Sequence, residues 1–174
     1  MSQKLSDLER VFTGIMGDLT IAVDVLKEYE SKENFNDPDQ SVRKQCIWRL
    51  CFFSIIVASK KYVDICTKYG KELNEYLPDL IEIKNYHQTK INQNTAIGDL
   101  RNHYVAHFQK EKKKEPHRVL DDAEVEMLFK KMIGTEGVGV FLDWICPGNI
   151  NNTDFKSSLV GTITLMRDAI SSKL

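Results

Sequence analysis

Apolar residues recur at steps of three and four positions along most of this chain, which is the periodicity of an amphipathic α-helix. The first such stretch runs from Leu5 to Tyr29, and the longest runs from Val42 to Tyr69. Gly70 follows the longest stretch directly and predicts its end. The polar segment from Ser31 to Gln40 lies between them and predicts a loop within one domain.

Further helices are predicted in the second half of the chain. The segment from Glu72 to Asn92 has helical periodicity, and a fourth helix is expected to have Thr95 or Asp99 near its N-terminus. Asp121 begins a fifth helix that extends to Ile133, because Asp121 and Glu124 have the spacing of a capping box. A last helix is predicted from Asp154, or from the residue before it, to the end of the chain.

One apolar segment does not fit the helical pattern as well. Val138 to Ile145 is short and apolar and could be an extended piece or a helix turn, but its Gly, Pro and Asn neighbours favour an irregular loop. Together the segments predict an all-α fold, a helical bundle of five or six helices in a single domain that spans residues 1–174. Nine glycines and four prolines are few for 174 residues, which also favours long regular elements.

Composition narrows the classes of function. The formal net charge is −1, so an anion site must come from local clustering of basic residues. None of the four cysteines has C-x-x-C spacing, which indicates free thiols in a reducing compartment. The N-terminus lacks an apolar signal region, and the apolar run from Cys46 to Ser59 contains Arg49 and is too short to span a bilayer. We therefore expect a cytoplasmic protein without a membrane segment.

Groups able to do chemistry near neutral pH concentrate between Ile97 and Phe108. Arg101 and His107 are six positions apart, which in an ideal α-helix is about 120° of rotation and about 9 Å of rise. The arginine side chain is long enough to bridge that distance. Asn102 can donate and accept hydrogen bonds beside them, and Tyr104 can line a site or stack on a base.

An arginine and a histidine without a pair of carboxylates suit the cleavage of RNA. The 2′-hydroxyl attacks the neighbouring phosphate, so the protein needs no nucleophile of its own. A histidine with a pKa near neutrality can transfer the proton, and an arginine can neutralise the charge that builds on phosphorus. This chemistry requires no metal and no other cofactor.

The segment from Arg101 to His107 reads R-N-H-Y-V-A-H and resembles the motif of the HEPN superfamily, the higher eukaryotes and prokaryotes nucleotide-binding proteins. Leu100 before the motif and its V-A-H ending are also typical. HEPN proteins are compact bundles of about four or five helices with the motif near the start of a late helix, which is its predicted position here. The resemblance covers about ten residues in motif and most of the chain in helix order.

The resemblance implies a metal-independent endoribonuclease that works as a homodimer, with two arginine-histidine pairs in one cleft. Such proteins often act as toxins or in defence against phage, and some have an antitoxin protein as partner. Carried onto this chain, Arg101 stabilises the transition state, His107 is the acid or base and Asn102 orients them. The basic run that follows adds candidate RNA-phosphate contacts, which are Lys110, Lys112, Lys113 and Lys114. Other members are catalytically silent and serve as nucleotide-binding, protein-binding or assembly modules.

Alternatives without a catalytic role remain open for each group. Arg101 can pair with a carboxylate such as Asp99, and the lysine run can be a solvated loop. His103 and His107 have the i, i+4 spacing of a metal pair, for which His87 is a candidate third ligand. Arg49 is expected to be ion-paired or snorkelling, and a phosphate contact near the cleft is the other interpretation. The motif can also be accidental in a helical regulatory protein.

Overall fold

The computed structural model describes residues 2–31, 41–105, 121–148 and 153–174, and every regular element in these ranges is helical. The prediction of an all-α fold is confirmed. Nine α-helices are described: α1 (Ser2–Ser31), α2 (Ser41–Lys68), α3 (Gly70–Tyr76), α4 (Ile81–Gln93), α5 (Thr95–Leu100), α6 (Asp122–Ile133), α7 (Val138–Ile145), α8 (Thr153–Ser157) and α9 (Leu159–Ser171). A 3-10 turn (Pro78–Leu80) and a π-helical turn (Arg101–Val105) complete the set.

Helices α1, α2 and α9 form the framework of the fold. The Ser54 hydroxyl donates to the Asp18 carbonyl at 3.3 Å, and Lys4 pairs with Glu72 just beyond the end of α2, so α1 and α2 run antiparallel. Helix α9 also packs antiparallel on α1, because Thr164 contacts the Met16 sulfur and the later Ser171 donates to the earlier Glu9. None of the described helices is long and apolar enough to cross a membrane.

The predicted apolar stripes supply the core. Buried residues of α1, α2 and α9 interlock with residues from most of the other helices in one contiguous cluster. The stripe of α1 is buried as its periodicity predicts: Leu5, Leu8, Phe12, Ile15, Leu19, Ala22 and Leu26. At about 25 cal/mol per Å² of apolar surface, each fully buried Leu, Ile or Phe contributes on the order of 2 kcal/mol, which favours this arrangement of helices.

The third predicted helix is divided in two. Helix α3 ends at Tyr76, Leu77 has a non-helical backbone, and Pro78 lies in the first turn of the 3-10 segment, where its missing N–H costs nothing. Helix α4 then begins at Ile81. Helix α2 ends at Lys68, close to the end predicted from Gly70, and Gly70 itself is the first residue of α3. These divisions raise the number of described helices above the predicted five or six.

The prediction of an irregular loop from Val138 to Ile145 is wrong, because this segment is helix α7. Gly137 precedes it with a φ of 93°, and Phe141, Leu142 and Ile145 bury one face of the helix. Two turns of helix are too short to be stable alone. Contact of that apolar face with the core therefore decides the conformation, which neighbouring residues could not indicate.

The last predicted helix is interrupted at Ser158. The Ser158 hydroxyl accepts from the Gly161 N–H at 3.0 Å and donates to the Phe155 carbonyl at 2.6 Å, so this one side chain caps α9 and holds α8 against it. A Cβ at Gly161 would lie 1.7 Å from the Phe155 oxygen. Only glycine fits this close approach of two helices. The capping box of α6, by contrast, is present as predicted.

Candidate functional site

Arg101 begins the π-helical turn that continues directly from α5. The backbone widens there because π-helical hydrogen bonds join residues five apart, and such turns are frequent at functional sites. Leu100 and Ile97 of α5 are fully buried and fix the base of this turn in the core. The rotation of about 120° expected for an ideal α-helix does not apply to the described part of the motif.

The partner of Arg101 is Asp64 of α2. The guanidinium Nη2 lies 3.3 Å from the Asp64 carboxylate, and the two side chains are 42% and 57% exposed. Asp99, the carboxylate named as a possible partner, is not the one that pairs. An ion pair with this much exposure contributes only about 0–1 kcal/mol to stability. Arg101 is therefore held lightly and stays accessible to a ligand.

Tyr104 packs on an aromatic cluster beside this pair. Its ring contacts Phe53 of α2 edge to face, with centroids 5.0 Å apart, and Phe129 of α6 at 6.2 Å. Arg49 of α2 lies at the polar end of the ring. The Tyr104 hydroxyl, as a side-chain hydrogen-bond partner, raises the pKa of Arg49 above its ordinary value. Aromatic packing thus fixes Tyr104 while its hydroxyl remains near a solvent-exposed cation.

The other predicted site residues are distributed unevenly. Asn102 is exposed and His103 is half-buried, and both belong to the π-helical turn. His107 and the four lysines of the basic run lie outside the described residues: Lys110, Lys112, Lys113 and Lys114. The structure therefore brings Arg101 and Tyr104 to α2, where they contact Asp64 and Arg49, and it leaves Asn102 exposed on the same turn.

His87 lies in a separate, buried environment in α4. The Trp144 indole N–H donates to His87 Nδ1 at 3.1 Å, which assigns the ring proton to Nε2. Nε2 is buried and has no hydrogen-bond partner within the described ranges. Desolvation lowers the pKa of His87 to about 4, the Ser157 backbone acts in the opposite direction, and Lys90 lowers it further. His87 is a neutral core residue near pH 7.

Metal ligation finds no support among the described side chains. No group of three or more His, Cys, Asp or Glu side chains in these ranges could hold a metal ion. His87 is turned toward Trp144, with the two rings stacked at a centroid distance of 6.1 Å. Its Nδ1 lone pair is used by the indole, so His87 does not offer the third ligand suggested for a site with His103.

Asp64 and Phe53 are the site residues that the sequence did not single out. Both lie on α2, at positions 11 residues apart, which is three turns of one helix face. Their partners Arg101 and Tyr104 follow 37 and 51 positions later in the chain. The signal that could have found Asp64 is its charge, because it is the single acidic residue of a helix otherwise rich in Lys and Arg.

Comparison with known proteins gives one informative match. No family model and no curated protein matches the chain. A solved structure, "Structure from the mobile metagenome of V. paracholerae: Integron cassette protein Vpc_cass2", is 46% identical to this chain with a TM-score of 0.81. The alignment covers 98% of each of the two chains, so the whole fold is similar.

Proposed function

This chain belongs to the family of the integron cassette protein Vpc_cass2, and we propose that it is a metal-independent endoribonuclease of the HEPN type. Arg101, Asn102 and His107 form its catalytic group in this proposal. The observation that carries it is the position of Arg101, which begins the R-N-x4-H motif on an accessible π-helical turn. An ion pair as exposed as that of Arg101 and Asp64 contributes little to stability, so stability alone does not account for an arginine at this position.

The proposed reaction uses the RNA's own nucleophile. His107 takes the proton of the 2′-hydroxyl, or returns one to the leaving 5′-oxygen, while the 2′-oxygen attacks the adjacent phosphorus. Arg101 donates from its planar fork of N–H groups to the phosphoryl oxygens as negative charge builds on them. Asn102 orients these groups. The products are a 2′,3′-cyclic phosphate and a free 5′-hydroxyl.

Asp64 does not prevent Arg101 from binding a phosphate. The pair is half-exposed at 3.3 Å, and a phosphodiester can compete with the carboxylate because the guanidinium offers five N–H donors. Asp64 then holds the arginine at the edge of α2 until RNA arrives. Tyr104 lines the same surface, anchored by its contact with Phe53.

A homodimer with two motifs in one cleft is part of the proposal. Leu50 and Val57 are large apolar residues of α2 that are 66% and 44% exposed, and their seven-residue spacing puts them on one side of the helix. That side adjoins Phe53 and Asp64, which contact the motif. Apolar surface beside the motif is where a second subunit would complete the cleft.

The biological role proposed is that of a toxin or a component of phage defence, acting in the cytoplasm, with an antitoxin protein as a further partner. The related protein Vpc_cass2 comes from a mobile metagenome, and a mobile setting is compatible with such a role. The second candidate is a catalytically silent HEPN-like module that binds nucleotides or proteins. The engagement of Arg101 by Asp64 is the observation that favours it.

RNA cleavage in excess EDTA separates these functions. We expect wild type to cleave single-stranded RNA to 2′,3′-cyclic phosphate ends, and Arg101→Ala and His107→Ala each to lose roughly a hundredfold or more in rate. Arg10→Ala is the matched control, because Arg10 is an exposed arginine that pairs with Asp7 at 3.1 Å far from the motif along the chain. Equal cleavage by all four proteins, or an equal loss in the control, would contradict the ribonuclease.

A further inference from the structure

Helix α2 carries far more positive charge than the rest of the chain. It holds six basic residues and one acidic residue, a formal charge of +5, in a protein of net charge −1. The basic residues are Arg43, Lys44, Arg49, Lys60, Lys61 and Lys68. Its antiparallel neighbour α1 has three basic and six acidic residues, a formal charge of −3. The positive charge is therefore concentrated on one helix.

Five of the six cations lie on the same side of α2 as Asp64, the partner of Arg101. Two of them are set apart, since Lys60 is half-buried and donates to Asn92, and Arg43 lies at the start of the helix. At about 100° per residue, Arg49, Asp64, Lys68 and Lys61 fall within about 120° of arc. Arg49, Lys61 and Lys68 are all exposed.

The opposite side of the helix is buried in the core through residues such as Phe52 and Ile55. The cations consequently form a stripe on the exposed side of α2. Leu50 and Val57 lie within the same arc, so in the proposed dimer this stripe borders the cleft between the two subunits.

Arg101 lies within this stripe. Along the helix axis, Lys61 is about 5 Å before Asp64 and Lys68 about 6 Å after it, so the Arg101 guanidinium at Asp64 has a lysine on each side. Arg49 lies nearer the N-terminus of the same helix, where it adjoins the Tyr104 hydroxyl. The stripe from Arg49 to Lys68 is about 28 Å long. That length suits several consecutive phosphates of an extended strand.

We propose that Arg49, Lys61 and Lys68 form a phosphate-binding track along α2, which holds single-stranded RNA on both sides of Arg101. The track deepens the proposed ribonuclease function and rests on it for the identity of the nucleic acid. Lys61 and Lys68 bind the phosphates that flank the one at Arg101. Arg49 binds a more distant phosphate beside Tyr104, whose ring lies where a base could stack.

The mixture of groups on this surface favours a single strand over an anionic membrane. Non-specific single-strand sites combine a positive groove with aromatic side chains, and here Tyr104 and Phe53 lie beside Arg49 and Asp64. The cations follow one another along a line on a single helix, which matches a linear polyanion. Asp64 within the stripe keeps Arg101 oriented across it.

The phosphate-binding track is tested by measuring RNA binding in a variant that is expected not to cleave RNA. In a His107→Ala background, binding of a labelled oligouridylate is measured by fluorescence anisotropy over a series of salt concentrations. Lys61→Ala with Lys68→Ala should lower the slope of log affinity against log salt by about 1.4, since each lost single-strand contact removes about 0.7. We expect an affinity loss of roughly tenfold at low salt. The matched control is Lys156→Ala with Lys173→Ala, two exposed lysines of the α8 and α9 region.

The outcomes separate the track from the ribonuclease. An unchanged slope in the α2 double variant, or the same decrease in the control, overturns the track while leaving cleavage by wild type to stand. A decrease confined to the α2 variant supports the track even when wild type cleaves nothing, a result that overturns the ribonuclease alone. In the second arm of the experiment, binding of the same proteins to vesicles containing phosphatidylserine is measured. Binding to vesicles through Lys61 and Lys68 without binding to RNA overturns the track.

Discussion

His87 and Arg101 are both candidates for chemistry in the sequence, yet they lie in opposite surroundings. His87 is fully buried in α4, its Nδ1 accepts the Trp144 N–H, and its pKa falls to about 4. The Arg101 side chain is 42% exposed and lies on a widened turn, and its ion pair with Asp64 is open to solvent. One residue is committed to the fold, and the other is available to a ligand.

The comparison teaches that burial and hydrogen-bond partners distinguish a residue that is committed to the fold from one that stays accessible to a ligand. Desolvation is the largest cause of the lowered pKa of His87, and it also excludes any substrate. The ion pair of Arg101 contributes little to the stability of the fold, because it lies at the surface. Substitutions in the His87 environment should therefore change stability, whereas substitutions around Arg101 should change ligand binding and rate.

Trp144→Phe should have the largest effect on stability. The variant keeps an aromatic ring against Phe141 but removes the N–H that His87 accepts, which leaves a buried nitrogen without a partner. We expect a loss of up to about 3 kcal/mol in the free energy of unfolding, measured by urea titration. Trp48→Phe is the control, because the buried Trp48 N–H has no hydrogen-bond partner in the described ranges. Equal losses would show that the His87 bond contributes nothing.

Lowering the pH from 7 to 5 should have the next largest effect on the free energy of unfolding. The pKa of His87 in the folded protein, about 4, is below its ordinary value of 6.5, so the unfolded chain takes up a proton first as the pH falls. The stability from His87 is complete above about pH 6.5 and is lost toward pH 4. Between pH 7 and pH 5 we expect a loss of about 2 kcal/mol.

Two variants assign this pH dependence to its source. Urea titrations at both pH values should show a smaller difference for His87→Gln than for wild type, whereas Trp48→Phe, which removes no titratable group, should keep the wild-type difference. A His87→Gln protein that loses as much stability as wild type would place the titrating group elsewhere.

Asp64→Asn should have the smallest effect on stability. The pair with Arg101 is half-exposed, so we expect a change below about 1 kcal/mol in the free energy of unfolding. RNA affinity should instead rise by roughly threefold, because the substitution removes the single negative charge of α2. Asp7→Asn, which breaks the comparable Arg10 pair on α1, should leave RNA affinity unchanged. A large loss of stability in Asp64→Asn would make the pair structural.

Patterns among neighbouring residues predicted the long helices, but they could not predict features that depend on contacts between distant parts of the chain. The apolar stripe of α1 and the capping box at Asp121 are read from neighbouring residues, and both are present. Helix α7 was missed because its conformation depends on the contact of Phe141 and Ile145 with the core. The break at Ser158 depends on the approach of Gly161 to Phe155, which periodicity does not reveal.

The same limit applies to the candidate site. The R-N-x4-H pattern singled out Arg101, but it did not predict the π-helical turn on which Arg101 lies. Asp64 could not be paired with Arg101 from sequence, since 37 positions separate them and Asp99 lay closer along the chain. His87 was a candidate metal ligand in the sequence, and its bond to Trp144, 57 positions away, could not be predicted from neighbouring residues.

The opposite formal charges of α1 and α2 also affect how this protein meets another molecule. Two antiparallel helices of −3 and +5 lie side by side, so a chain of net charge −1 carries an electric dipole across the pair. The electric field of an approaching polyanion therefore rotates this dipole, while the small net charge of the protein produces little attraction or repulsion at the same distance. The protein rotates during the encounter, and α2 is turned toward the polyanion before the surfaces touch.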